Sequence, residues 1–124
     1  MGRRGVLNGS REWLEVVDEA NAPLAVMPRE TVHSLGLPHR SVLVLLYNEH
    51  NKLYLQKRQT DRKRYPGCWD LSATGHVLAG ESKLEAACRE LSEELRIEGV
   101  KLYRVFEMPG SRKMGEEFVT LFRT

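Results

Sequence analysis

The chain has 124 residues, which is enough for one domain with a hydrophobic core and too few for two. Hydrophobic residues make up 41% and charged residues 29%, a balance typical of globular proteins rather than disordered or membrane proteins. The net charge of +2 lacks the strong basic excess of most nucleic-acid-binding domains. Cations gather in Arg58–Arg64 and acids in Glu81–Glu98. This separation suggests a site that binds an anion, with a cation between the anion and the acidic residues.

The sequence carries no sign of a membrane or secretory destination. No stretch approaches the roughly 18 apolar residues of a membrane span. Arg3 and Arg4 are not followed by the apolar core of a signal peptide, so we expect a cytoplasmic protein. The two cysteines, Cys68 and Cys88, lack metal-binding spacing, and we expect reduced, partly buried thiols.

The first third of the chain predicts a leader, a hairpin and a short helix. Residues 1–10 contain three glycines and little that can pack, so we expect a flexible leader before a single domain, 11–124. Alternation in Glu12–Asp18, a turn, and Pro23–Met27 together indicate a β-hairpin. A short helix is expected over Arg29–Leu35, since Pro28 can begin it and Gly36 and Pro38 end it.

The middle of the chain predicts strands around a basic loop. Arg40–Asn48 is rich in leucine and β-branched residues, as in a strand buried on both faces. After a turn, Lys52–Arg58 alternates like a returning strand. Thr60–Tyr65 is expected to form a basic loop, and Cys68–Ser72 to be short and extended.

The clearest helix is expected over Ser82–Leu95. Ser82 followed by Glu85 is a capping box, which defines where this helix begins. Helical spacing predicts one buried stripe, which consists of Leu84, Ala87, Cys88, Leu91 and Leu95.

Two further strands are expected after this helix, Val100–Met108 and Glu117–Arg123, joined by the loop Pro109–Gly115. Strands on both sides of one amphipathic helix indicate an α/β or α+β fold with a mixed sheet. Because the last strand ends at Thr124 with no helix to cover the sheet, we expect a domain truncated at its C-terminus or completed by a partner.

The predicted helix concentrates carboxylates. Glu90, Glu93 and Glu94 stand at i, i+3 and i+4, so their side chains share one face. Three like charges so close repel one another unless a cation neutralises them, and carboxylate oxygens favour Mg²⁺ or Mn²⁺. The alternative is a solvated helix face, in which Arg89 pairs with Glu85 and Glu93 at i,i+4 spacing. A glycine, Gly75, and Glu81 at fixed distances upstream favour the metal site.

This constellation resembles the Nudix box, which reads Gly, five residues, Glu, seven residues, Arg-Glu-apolar-any-Glu-Glu-any-Gly-apolar. The matching residues are Gly75, Glu81, Arg89, Glu90, Leu91, Glu93, Glu94 and Ile97. One position departs, because Arg96 stands where the box has its second glycine. That glycine leaves the helix with positive φ, which costs another residue about 1–2 kcal/mol. We therefore expect a different exit, with Gly99 making the turn.

The resemblance implies an α/β/α sandwich in the α/β class, with a mixed sheet and a loop–helix–loop at the box. It further implies that Glu90, Glu93 and Glu94 bind Mg²⁺ or Mn²⁺ and act in catalysis, with Arg89 orienting a catalytic glutamate. The implied reaction is hydrolysis of a diphosphate linked to another group.

A second set of residues resembles one branch of that family, the isopentenyl-diphosphate isomerase-like proteins. The segment Tyr65–Ser72, followed by Gly75 and His76, carries this resemblance. The isomerases have a catalytic cysteine immediately before the Gly-His pair, where this chain has Thr74. Isomerisation of an alkene needs a proton donor and acceptor, which threonine cannot supply at neutral pH. The missing thiol therefore favours a hydrolase.

The same branch implies further ligands. Its second metal site uses histidines and a glutamate, and the residues at or near those positions are His33, His39, His76 and Glu117. Arg58 and Arg62 match positions that hold the diphosphate, although a solubilising loop is the alternative. Trp69 is either part of the substrate pocket or a core anchor, and Gly75 belongs to the substrate site through the box.

The sequence thus predicts a Mg²⁺-dependent Nudix hydrolase that acts on a nucleoside or other organic diphosphate. Two alternatives stay open: an isomerase or its inactive relative, and a diphosphate-binding Nudix domain without turnover. The expected partner is a small molecule, with neither nucleic acid nor membrane involved, and an uncovered sheet edge permits a homodimer.

Overall fold

The computed structural model describes residues 6–7, 11–57, 69–70, 72–109 and 116–124. The strands are β1 Val6–Leu7, β2 Arg11–Val17, β3 Pro23–Pro28, β4 His39–Leu45, β5 Gln56–Lys57, β6 Trp69–Asp70, β7 Ala73–His76, β8 Tyr103–Met108 and β9 Glu117–Arg123. The helices are α1 Arg29–Leu35 and α2 Lys83–Glu90, and α2 continues into a π-helical turn, Leu91–Leu95. None of the helices in these ranges is long and apolar enough to cross a bilayer.

A four-stranded sheet in the order β7-β4-β9-β8 forms the centre of the fold. Strands β4 and β9 run parallel, whereas β4 with β7 and β8 with β9 are antiparallel. The mixed sheet and its helices confirm the predicted α/β class. Strands β1, β2 and β3 form a second, antiparallel sheet, and β5 pairs with β6. Within the segment expected to be a leader, Val6 and Leu7 thus pair with β2.

In the described part of the chain, two hydrophobic clusters hold the sheets and helices together. The larger one lies between α2 and the central sheet, where Val42, Val44 and Phe122 meet Ala87 and Leu91. The smaller one packs β2 against α1 through Leu14, Val16, Val32 and Leu78. Leu78 precedes α2, and the backbone N–H of Ala79 donates to the Trp13 carbonyl, so the second cluster fixes the loop that leads into α2.

Several predicted elements are confirmed. The hairpin of β2 and β3, helix α1 and strand β9 lie where the sequence placed them, and α1 ends at Gly36 with φ 63°. The predicted strand Lys52–Arg58 is wrong over most of its length. Leu53 makes an isolated bridge to Tyr47, and only Gln56–Lys57 form a strand in the described part of that segment. The basic loop and Cys68 lie outside the described residues, as do residues 110–115 of the later loop.

The predicted buried stripe of α2 is correct only in part. Ala86, Ala87 and Leu91 are buried, but Leu84 is 49% exposed and Cys88 is also exposed, as a free thiol. Helical periodicity fixes the direction of a side chain and not what covers it, so a position on the apolar side can remain in water. The expectation of a partly buried thiol at Cys88 is therefore wrong.

Candidate active site

The site begins with the capped start of α2. Ser82 accepts a hydrogen bond from the Glu85 N–H, and the Glu85 carboxylate accepts one from the Ser82 N–H, which confirms the capping box. Upstream, the Leu78 N–H donates to Glu81 Oε1 at 3.0 Å, so the loop and the helix are fixed relative to each other.

The acidic cluster consists of Glu81, Glu90, Glu93 and Glu94, and Arg89 contacts the first three of them. Its Nε and Nη2 atoms donate to the two oxygens of Glu81 at 2.7 and 3.1 Å, in a bidentate pair. Its Nη1 donates to Glu90 Oε2 at 2.8 Å and to Glu93 Oε1 at 3.1 Å. Nη2 also donates to the His76 carbonyl at 2.8 Å. Arg89 therefore orders three carboxylates and ties them to strand β7.

Glu90 is the buried member of the cluster. Its side chain packs against Gly75, where an added Cβ would lie 2.0 Å from Glu90 Oε2. A Cβ at position 75 would displace the end of the Glu90 side chain, so the glycine lets this carboxylate lie against β7. Burial raises the pKa of Glu90 to about 7, against the opposing charge of Arg89, and Glu94 and Glu93 raise it further.

Glu94 is held by a different set of donors. Gln56 Nε2 donates to Glu94 Oε2 at 2.8 Å, and the Thr74 N–H donates to Oε1 at a long 3.4 Å. The expected face of three glutamates is therefore present, but Arg89 and Gln56 hold its members in different directions. The role of Gln56 was not predicted, because no spacing rule connects it with a helix 38 residues further along the chain.

The helix ends differently from the expectation. Arg96 itself adopts the left-handed conformation, with φ 56° and ψ 37°, and its N–H points to the carbonyls of Leu91 and Ser92. Gly99 also has positive φ, at 74°. The predicted alternative exit through Gly99 alone is thus wrong, and the chain keeps the geometry of the box's glycine with an arginine in its place.

A second group, the histidine cluster, consists of His33, His39, His76 and Glu117, which lie on α1, β4, β7 and β9. Among the described residues, His33, His39 and His76 form a group of three whose ligand atoms all lie within 4.8 Å of one another. The Nε2 atoms of His33 and His76 are 3.1 Å apart. Glu117 Oε2 lies 3.1 Å from His39 Nε2 and 3.2 Å from His76 Nε2. All four residues named from the sequence therefore come together.

The protonation of this second cluster follows from its contacts. Burial lowers the pKa of His33, and the neighbouring histidines lower it further. Burial alone would lower the pKa of His39, but hydrogen bonds to Glu117 and to the Leu37 carbonyl outweigh it and raise that pKa. Burial opposes ionisation of Glu117, yet hydrogen bonds from His39 and His76 lower its pKa to about 2. The cluster thus combines an ionised carboxylate with imidazoles.

The remaining predicted site residues are only partly described. Arg58 and Arg62 lie outside the described residues. Trp69 pairs with Lys57 through the backbone of β6 and β5. Gly75 lies on β7 opposite Val42 and next to the acidic cluster.

Comparison with known proteins assigns the chain to a family. The family profile described as the NUDIX domain matches residues 37–123. An uncharacterized Nudix hydrolase of Pseudomonas aeruginosa is 40% identical over 105 residues, which are 82% of this chain and 62% of that protein. The uncharacterized Nudix hydrolase YfcD of Escherichia coli is 37% identical over 91 residues, 73% of this chain and 51% of that protein. The chain therefore spans less than two thirds of either relative.

The fold agrees with this assignment. The crystal structure of DR0079 from Deinococcus radiodurans superimposes with a TM-score of 0.76 and 25% sequence identity. The similarity covers 90% of this chain and 70% of that one. The predicted fold class is confirmed by this likeness.

Proposed function

Since this chain belongs to the Nudix family, we propose that it is a divalent-metal-dependent hydrolase that cleaves the diphosphate linkage of a nucleoside or other organic diphosphate. The observation that carries the proposal is the arrangement of Glu90, Glu93 and Glu94 around Arg89 beside Gly75. The small-molecule substrate and the preference for Mg²⁺ or Mn²⁺ belong to the same proposal.

The acidic cluster fits a hard cation. Its donor atoms are carboxylate oxygens, which suit Mg²⁺ and Mn²⁺, and Glu93 and Glu94 are exposed enough to reach one. A bound cation would supply charge neutralisation at the phosphate oxygens and a lowered pKa for water. The metal ligands in this proposal are Glu90, Glu93 and Glu94.

The chain's own residues orient this set and move the proton. Arg89 keeps Glu90 and Glu93 in fixed rotamers, so little ordering entropy is lost when the substrate complex forms. In this proposal one of Glu90, Glu93 and Glu94 accepts the proton of the attacking water, which a nearby cation makes more acidic. Arg58 and Arg62 remain the proposed diphosphate contacts and Trp69 a proposed contact to the rest of the substrate.

The test is hydrolysis of a panel of nucleoside diphosphate derivatives with Mg²⁺, followed as release of phosphate or monophosphate. We expect turnover that Glu94→Gln lowers by about 100-fold or more, because loss of a ligand itself should cost more than the roughly 10–100-fold that loss of a residue supporting a ligand costs. Glu98→Gln is the matched control, because Glu98 is an exposed carboxylate just beyond the same helix. Full activity of Glu94→Gln would refute the metal assignment. Ligand binding without any turnover would favour the diphosphate-binding domain instead.

The histidine cluster favours one second candidate, an isomerase-like protein with its own metal site. Three imidazoles and a carboxylate suit Zn²⁺ or Mn²⁺, and the 3.1–3.2 Å separations are close to the roughly 3.3 Å between ligands of a tetrahedral zinc site. His39 Nδ1 contacts the Leu37 carbonyl at 2.8 Å, which directs Nε2 to the cluster.

Thr74 argues against isomerase chemistry. Its hydroxyl donates to the Val42 carbonyl at 3.1 Å, so the hydroxyl proton is engaged within the sheet. Conversion of isopentenyl diphosphate to its isomer would nevertheless establish the isomerase. For the metal itself, we expect calorimetry to detect Zn²⁺ binding that His39→Ala removes and that His50→Ala, a change at an exposed histidine, leaves intact.

A further inference from the structure

We propose that Gln56 is a positioning residue that holds Glu94 in the orientation needed to bind the metal, an inference that rests on the proposed function. Arg89 donates to Glu81, Glu90 and Glu93. Within the described ranges, Glu94 instead accepts its short hydrogen bond from Gln56, at 2.8 Å. The other contact, from the Thr74 N–H, is 3.4 Å long and correspondingly weak.

The chemistry at position 56 requires a double donor. Gln56 Nε2 lies 2.6 Å from the Ser72 carbonyl and 2.8 Å from Glu94 Oε2. Both partners are acceptors, so only the amide NH₂ group can face them. The opposite orientation of the amide would put its oxygen against two oxygens. One nitrogen therefore donates to both the Ser72 carbonyl and Glu94, and the first bond fixes the direction of the second.

A buried serine anchors the backbone that carries Gln56. The side chain of Ser72 is fully buried, and its hydroxyl accepts from the Leu46 N–H and donates to the Tyr54 carbonyl, both at 2.8 Å. The Tyr54 N–H donates to the Leu46 carbonyl, also at 2.8 Å. Gln56 itself pairs with Asp70 in the β5–β6 ladder. The segment before Gln56 is thus attached to the end of β4.

These contacts give Glu94 a support that is independent of Arg89. A glutamate side chain loses rotamer freedom when it binds a metal, and a ligand that is already ordered loses less. Without the amide, Glu94 would keep only the long contact to the Thr74 N–H among the described residues, and its metal affinity should fall.

The test compares Gln56→Met with Ser72→Ala in the full chain. Methionine keeps the length of glutamine but donates nothing to Glu94. Ser72→Ala weakens the same segment but keeps the amide, and the Tyr54–Leu46 bond and the β5–β6 ladder still hold position 56. Calorimetric titration with Mg²⁺ alone measures affinity, and thermal unfolding without metal measures stability. Mg²⁺ is the probe because it prefers oxygen ligands and so avoids the histidine cluster.

We expect Gln56→Met to weaken Mg²⁺ binding by about 10-fold, as is usual for a residue that orients a ligand. Ser72→Ala should lower Tm and change Mg²⁺ affinity by less than about 3-fold. Unchanged affinity in Gln56→Met would overturn the proposal, as would equal losses of affinity in both variants. If Glu94→Gln also leaves Mg²⁺ affinity unchanged, the metal assignment itself is wrong and the role of Gln56 with it. If Glu94→Gln weakens binding and Gln56→Met does not, only the role of Gln56 is refuted.

Discussion

Replacing Arg96 by glycine should stabilise the protein, because the native residue adopts a conformation that glycine adopts without strain. Arg96 has φ 56° and ψ 37° at the exit from the π-helical turn. A residue with a Cβ pays about 1–2 kcal/mol for that conformation, and glycine does not. Glycine also gives the unfolded chain more conformational freedom, which offsets about 0.4–1 kcal/mol of that stabilisation. The expected net gain is therefore about 0.5–1 kcal/mol.

For a domain of this size that gain corresponds to a rise in Tm of about 2–4 °C. Thermal unfolding of Arg96→Gly without metal, followed by circular dichroism, measures it. Asn51→Gly is the matched control, because Asn51 has φ 60° but asparagine tolerates the left-handed region well. We expect a smaller gain there, or none. An unchanged or lower Tm for Arg96→Gly would show that the arginine is not strained and that the reasoning about the helix exit is wrong.

Three further changes test the acidic cluster. Gly75→Ala should lower turnover by about 10-fold or more with little change in Tm, because the new Cβ displaces the flexible end of Glu90. Unchanged kinetics would contradict the close approach of Gly75 to the Glu90 carboxylate. Arg89→Lys keeps the charge but loses the fork to Glu81, so both Tm and turnover should fall, and a fully active, equally stable variant would contradict the orienting role. Glu90 has a pKa raised to about 7, so the folded state keeps a proton that the unfolded state loses, and stability falls as pH rises from about 4.5 to 7. Glu90→Gln removes that pH-dependent loss, so in chelator its Tm should exceed the parent's at pH 8 and match it at pH 5. The reverse order would refute the assignment.

The parts of the fold that the sequence predicted well are those specified locally. The capping box at Ser82 and the stop at Gly36 are backbone requirements written in a few adjacent residues, and both occur as expected. Strand β9 could be found because its run of β-branched and aromatic residues follows a glycine-containing loop. The histidine cluster was also named in advance, through resemblance, since no periodicity connects residues on α1, β4, β7 and β9.

The features that the sequence did not predict depend on tertiary contacts. Leu84 and Cys88 fit the apolar spacing of α2, but both stay exposed in the described structure. The π-helical turn was not expected either, because helical propensity does not distinguish it from an ordinary turn. The bond from Gln56 to Glu94 joins a short strand to the end of a helix, and only the folded chain brings the two together.

Strand β7 links the two candidate centres. Its residues alternate sides, so Gly75 faces Glu90 on α2 while the ring of His76 reaches Glu117 on the other side. The His76 carbonyl meanwhile accepts from Arg89, so one residue contributes its backbone to the acidic cluster and its side chain to the histidine cluster. This dual use requires α2 to lie beside β7, with the Glu90 side chain in the space that the glycine at position 75 leaves open. A shift of β7 would therefore disturb both centres together, whereas removal of the His76 side chain should affect the histidine cluster alone.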